Sequence, residues 1–426
     1  MKLRIEKQIY GGSGLARDNG KAIFVPFTLA GELAEAELTE DHGSYASAEL
    51  REILEASPNR AEPPCPYFGE CGGCHYQHAS YQHQIEIKLQ ILRESLERAH
   101  IEDIPEIMPL YGEPLGYRNR IRLHIDPATS RPCYKKRGSH QNLPVSECPI
   151  AAPVLQDALR AIQSAVQEWQ LGRAFSEVEF FTNERQDSLL LSLWASGSPQ
   201  VAPQRLDALW PGLRSLLPHL RGAAVFSAER GKQPGKLLAQ HGDSSLTYAV
   251  AGHDYRVSFG SFFQVNRFLL GSLLDLVTSE HSGALAWDLY AGVGLFSAML
   301  AAHFDQAVAV ESSPSAVRDL RHNVSRGPSR VVASTTLDFL RRFRAAKAQK
   351  PDLVIVDPPR AGLGKEAAAL LAAVRPAHIT YVSCDPATLS RDLKSLLDSG
   401  YHLRAMRMVD LFPQTFHLES VAELSL

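Results

Sequence analysis

With 426 residues, 45% of them apolar, the chain can bury two or three cores, and 44 basic against 47 acidic side chains leave a net charge of -3. That balance excludes a protein that coats nucleic acid by bulk charge, so any RNA contact must come from local patches. Six cysteines are too sparse for a disulfide scaffold, and Met1 to Glu6 lack a signal peptide's apolar stretch; a soluble, cytoplasmic monomer with no membrane span is expected.

Residues 1–58 alternate short apolar runs with a glycine-rich turn. The runs are Leu3-Arg4-Ile5, Ala22 to Phe27, Ala34 to Leu38 and Ala46 to Ile53, and the turn is Tyr10-Gly11-Gly12-Ser13-Gly14. Strands this short, separated by such turns, predict a small β-barrel. The pattern resembles a TRAM domain, an OB-like RNA-binding barrel appended to RNA-modifying enzymes. Glu32, Glu35, Glu37, Glu40 and Asp41 depart from the basic surface expected of that role, and a barrel that only packs on its neighbour is the plainer reading.

A proline-rich boundary, Ser57 to Pro64, opens a central unit taken as residues 59–252. It leads into Cys65, Cys71 and Cys74, the last two a C-x2-C pair freed by Gly72 and Gly73, and Cys148 follows far downstream. Four thiols in loops have the ligand count of a [4Fe–4S] cluster or of tetrahedral zinc, and spacing alone does not choose between them. Cys133 is the spare, expected to pack. Residues 80–99 place Tyr81, Ile85, Leu89, Leu92 and Leu96 at helical spacing, predicting an amphipathic helix that packs the cysteine loop onto the next unit. Between Glu113 and Arg137 the charge turns basic, and Tyr117-Arg118-Asn119-Arg120 ahead of alternating Ile121, Leu123 and Ile125 reads as a strand with a basic face. Such a face suits phosphate contact and base stacking, although most charge runs are only solvated. A helix from Val154 to Trp169 and strands at Val178 to Phe181 and Leu189 to Leu193 complete an α+β unit.

Residues 253–426 are expected to form an α/β domain. Leu285 to Leu289 is a strand that runs into the glycine turn Tyr290-Ala291-Gly292-Val293-Gly294 and then a helix, without the third glycine that a dinucleotide fold would want at Ser297. A second strand, Ala307 to Val310, ends in Glu311, about twenty residues on, an acid suited to a ribose diol. A third, Leu353 to Val356, ends in Asp357-Pro358-Pro359-Arg360-Ala361-Gly362. Each strand-end acid could instead be a helix cap. In Tyr381-Val382-Ser383-Cys384-Asp385-Pro386 a thiol sits between a buried strand and a helix N-terminus, where amides and the helix dipole favour thiolate. A small core residue is the alternative reading of Cys384.

In order, Phe262-x-Gln264-x-Asn266, the Asp288-to-Gly294 turn, the Asp357 motif, the Cys384 motif and Phe416-His417-Leu418-Glu419 resemble RNA 5-methyluridine methyltransferases. The likeness covers about residues 255–426, and the barrel and cysteines extend it over nearly the whole chain. It implies a class I S-adenosylmethionine (SAM) methyltransferase domain with a Rossmann-like sheet, holding SAM through Gln264, Tyr290, Gly292, Glu311 and Asp357. It also implies a [4Fe–4S] cluster on Cys65, Cys71, Cys74 and Cys148. Cys384 would add to C6 of a uridine and Glu419 would remove the C5 proton, with Asp357 and Arg360 orienting the base. RNA is the implied partner, 23S rRNA favoured over tRNA. Leu295, Thr335 and Thr336 depart from the family pattern near the cofactor. An RNA 5-methylcytosine methyltransferase and a non-catalytic iron–sulfur RNA-binding factor are the rivals, and Arg360 stands where the first would carry a cysteine.

Overall fold

The computed structural model describes residues 1–196, 200–229, 235–346 and 349–426. Strands Lys2–Gln8, Ser13–Asp18, Lys21–Pro26, Leu33–Asp41 and Tyr45–Glu55 close into a barrel. Period-two alternation turns Leu3, Ile5, Ala16, Ile23, Val25, Ala36, Ala46 and Ala48 inward. The strand Ser13–Asp18 escaped sequence reading because its small residues look like a continuation of the preceding turn. Glu32 is no surface acid: it is fully buried, and Arg60 grips both its oxygens at 2.6 and 2.7 Å. Against the cost of burial, that fork and the Leu29 and Ser57 amides hold its carboxyl below the usual range, stapling the barrel to the boundary segment.

The central sheet runs in the order Leu237–Gly242, Leu220–Phe226, Leu189–Ala195, Phe175–Thr182, Arg120–Ile125, Pro132–Lys135 and Asn142–Pro144. The helix expected through Trp169 breaks at Ala165 into Pro153–Ser164 and Val166–Trp169. The basic face expected on Arg120–Ile125 is largely neutralised within the sheet. Arg122 pairs with Glu177 and Glu229 and lies 3.7 Å over the Trp194 ring, while Arg120 lies 4.2 Å over Phe181.

The C-terminal sheet has eight strands, in the order Ser329–Ala333, Phe304–Glu311, Gly283–Leu289, Leu353–Val356, His378–Ser383, Glu419–Ser425, His402–Val409 and Ile107–Leu110. The first five are parallel, and apolar side chains cover both faces, with Trp287, Val354 and Tyr381 in one core and Ala286, Ile355 and Val382 in another. Burial on both faces explains why these strands read as continuous apolar runs. Residues 81–110, expected within the central unit, belong to these layers. Helix Tyr81–Arg98 sets Ile85, Leu92 and Leu96 against Leu393, Leu396 and Met406, and Ile107–Leu110 adds the edge strand. The helix therefore clamps the C-terminal sheet itself. Among the described residues no helix is long and apolar enough to cross a membrane.

Candidate active site

Strand register gathers the motifs at one edge. Leu289 pairs with Val356 and Val356 with Tyr381, so Tyr290, Asp357 and Cys384 all leave the sheet at its carboxyl side. The strand Glu419–Ser425 runs the other way and pairs Ser420 with Ser383, so Glu419 enters its strand beside Cys384.

Asp385 caps the helix Pro386–Leu397, accepting from the amides of Ala387 at 3.1 Å and Thr388 at 2.9 Å. Those amides are spent on the cap, and this corrects the expectation that the turn favours thiolate. Burial first, then Glu419 and Asp357, push the Cys384 thiol up to about 11, with the Arg360 guanidinium opposing them. In the free protein Cys384 is thus held toward the thiol form. Glu419 is 3% exposed, and burial followed by Asp357 lifts its carboxyl well above the ordinary range. Burial and Asp288 push Asp357 up to about 7. Asp288, a fully buried acid inside the apolar strand Gly283–Leu289, is itself pushed up to about 7 by burial although it accepts from the Ser297 hydroxyl. Close acids of this kind share protons rather than ionising together, and such clusters mark sites that receive a positive charge or a proton.

Beside them a cavity is lined by Phe262, Phe263, Gln264, Tyr290, Gly292 and Asp357, among others. The turn is left-handed at Tyr290, Gly292 and Gly294, with φ of 66, 55 and 92°. At Gly294 a Cβ would come within 2.6 Å of Leu320 Cδ1, so glycine lets the following helix pack. Glu311 does not line the cavity. Its Oε2 accepts from the Gly292 amide at 2.9 Å and its Oε1 from the Ser312 and Ser313 amides at 2.6 Å, bracing the turn from the same sheet edge. Asn119 Nδ2 donates to the Gln264 carbonyl at 2.9 Å and Arg120 to the Ser261 carbonyl at 2.9 Å, which fixes the Gln264 segment.

Sequence reading gave no role to Asp288, Asn119 or Tyr10. An acid embedded in the apolar run Leu285 to Leu289 was the available signal for Asp288. Tyr10 comes from the barrel turn: its hydroxyl lies 3.5 Å from the Cys384 carbonyl oxygen, and its ring meets Phe416 edge-on at 5.3 Å. The barrel thus reaches the Cys384 turn directly.

The four expected ligand cysteines, Cys65, Cys71, Cys74 and Cys148, line one cavity of about 70 Å³ with Arg118 and Tyr134. Arg118, expected on an RNA-facing surface, turns toward these thiols instead. Burial raises all four thiols, Cys74 up to about 12, and Cys148 raises the other three further. Such a donor set ionises only around a cationic centre. Among the described residues, no three His, Cys, Asp or Glu side chains are grouped so as to hold a metal ion. Cys133 lies apart, its Sγ 3.4 Å from the His124 carbonyl, packing as expected of the spare.

Residues 80–425 match the family described as tRNA (Uracil-5-)-methyltransferase, and residues 1–50 match the TRAM domain. The chain belongs to the uracil-C5 RNA methyltransferases. An RNA methyltransferase of Aquifex aeolicus, described as uncharacterized, is 33% identical across 100% of this chain and 98% of its own. The 23S rRNA (uracil(1939)-C(5))-methyltransferase RlmD of Pectobacterium carotovorum subsp. carotovorum is 31% identical over 96% of this chain and 90% of its own. The crystal structure of Pyrococcus abyssi tRNA (uracil-54, C5)-methyltransferase in complex with S-adenosyl-L-homocysteine shares the fold at a TM-score of 0.80, covering 100% of both chains with 23% identity. Membership sets aside both rival readings: the chain is a SAM-dependent enzyme that methylates C5 of uracil in RNA, and its N-terminal barrel is a TRAM domain.

Proposed function

We propose that the target is a uridine of 23S rRNA, with Cys384 as nucleophile, Glu419 as base, and Gln264, Tyr290, Gly292 and Asp357 as the SAM-holding residues, their glycine turn braced by Glu311. The observation that carries this reading is the convergence of Cys384, Glu419 and Asp357 on the sheet edge that also bears the glycine turn. Uracil C5 is too poor a nucleophile to take a methyl group unaided, so Cys384 gives up its thiol proton to solvent, its sulfur adds to C6, and the C5=C6 electrons move into an enolate. When bound, SAM supplies an electrophilic methyl group on a cationic sulfur, a charge matched to the acids at this edge. C5 takes the methyl carbon as the sulfur–methyl bond breaks, leaving S-adenosylhomocysteine. Glu419 then accepts the C5 proton, the C5–H pair re-forms C5=C6, and the Cys384 thiolate departs. Because C6 is hidden in a base stack, the uridine must swing out of it, a task for the barrel (1–58) and the cysteine-bearing unit (59–252) beside the methyltransferase unit (253–426).

Relatives named as 23S rRNA enzymes, 31 and 29% identical across 96 and 99% of this chain, support the ribosomal target. Nucleoside mapping of rRNA and tRNA from a deletion strain tests it: one 5-methyluridine is expected to vanish from 23S rRNA. Loss from tRNA position 54 instead would transfer the assignment to the tRNA substrate.

A [4Fe–4S] cluster on Cys65, Cys71, Cys74 and Cys148 belongs to the same proposal. Four thiols lining one cavity supply the ligand count of such a cluster, and Arg118 in the same cavity offsets part of the thiolate charge. When bound, the cluster supplies four iron–thiolate bonds that tie the loops together. Anaerobically purified protein is expected to be brown with about four irons per chain. Colourless protein with one zinc would overturn the assignment.

A further inference from the structure

Residues 410–418, which lead from one strand end into Glu419, are gripped by elements from the first 120 residues. The His75 and Tyr76 amides, directly after Cys74, both donate to the Gln414 carbonyl, at 2.8 and 3.0 Å. Gln84 makes a reciprocal pair with Gln414: its Nε2 donates to Gln414 Oε1 at 3.0 Å and its Oε1 accepts from the Gln414 amide at 3.0 Å. Tyr117 donates its hydroxyl to the Pro413 carbonyl at 3.1 Å, and Lys88, buried and paired with Asp410, donates to the Phe412 carbonyl at 3.0 Å. Next along the loop, Phe416 packs against His75 with ring centroids 4.6 Å apart.

Gln414 itself is 5% exposed and holds φ at +70°, a left-handed conformation that a side-chain-bearing residue keeps only when its surroundings over-determine it. All four hydrogen bonds that converge on it come from the cysteine loop or from Gln84.

We propose that Gln84 and the Cys74-His75-Tyr76 segment are positioning elements for Glu419. They fix the arm that carries the base, so the cysteine site acts on proton removal and product release and leaves SAM binding and thiol addition alone. The inference rests on the assignment of Glu419 as base and Cys384 as nucleophile. It separates the cysteine site from a general role in stability, because a loosened arm slows one late step only.

The test uses the full-length protein, purified anaerobically, carrying Gln84→Met or Cys74→Ser. SAM affinity and the rate of covalent adduct formation with 5-fluorouridine RNA are expected to match the unmutated protein. With ordinary uridine RNA, kcat is expected to fall by roughly tenfold to a hundredfold while a methylated, covalent protein–RNA complex accumulates. Unchanged turnover in Gln84→Met, or parallel loss of SAM binding, adduct formation and turnover in both variants, would overturn the proposal. If the unmutated protein forms no adduct, the assignment of Cys384 fails first and the inference falls with it.

Discussion

Replacing Cys384 with alanine is expected to abolish methyl transfer while leaving SAM binding intact. The cavity proposed for SAM is lined by Gln264, Tyr290, Gly292 and Asp357, and Cys384 is not among its lining residues. Without the sulfur there is no route to electron density at C5, so the loss is of the reaction and not of the complex. RNA with 5-fluorouridine at the target should give a denaturation-resistant adduct with the unmutated enzyme alone, because fluorine at C5 cannot leave as a proton does. An adduct that persists in Cys384→Ala would sink the mechanism. The raised thiol adds a pH signature. With the Cys384 thiol up at about 11, only a small thiolate fraction exists near neutrality, and it grows about tenfold per pH unit below that value. Glu419, also raised, gains charge in the same direction. The single-turnover rate should therefore climb steadily across roughly pH 6 to 9. A flat profile would mean that bound RNA has already drawn the proton from the thiol.

What the sequence made legible was local. The Cys384 turn, the Asp357 motif and the glycine turn each consist of a strand, a few loop residues and a helix start, so pattern alone placed them on strand ends. Their chemistry depends on partners that pattern could not reach. The thiol is raised rather than lowered because it is buried and because Glu419 arrives from an antiparallel strand thirty-five positions on, against a helix end whose amides Asp385 already occupies. Arg118 looked like a phosphate contact, yet it faces the cysteines, which the sequence places far from it in both directions. Lys88, in a helix whose apolar spacing was plain, is wholly buried because Asp410 meets it at 2.5 Å across 322 positions. A helix that must bury a lysine against that one acid belongs with the C-terminal sheet, which is why the central unit does not hold together as a single stretch of sequence. Charge pairs of this range leave no periodic trace, whereas strands buried on both faces do.

The Glu419→Gln variant is expected to stall the reaction after methyl transfer. Glutamine keeps the volume of a side chain that is only 3% exposed, so packing is spared and the change reports on proton acceptance. Glu419 enters its strand one residue before the Ser420–Ser383 pair and next to the Cys384 turn, with a carboxyl whose proton affinity burial and Asp357 raise. A stronger base is one that accepts a carbon-bound proton more readily, provided that it starts ionised, and the neighbouring Arg360 favours that state. Positioned bases typically contribute 10²–10⁴-fold, or about 3 to 5 kcal/mol of barrier. Loss of the base leaves thiol addition and methyl transfer in place and blocks the return of the C5–H electrons that would expel the thiolate. Glu419→Gln should thus accumulate a protein–RNA band that resists denaturation, carries the label of the SAM methyl group, and disappears when Cys384→Ala is added. Near-normal turnover without that band would show that another group, such as Asp357 or a bound water, removes the proton.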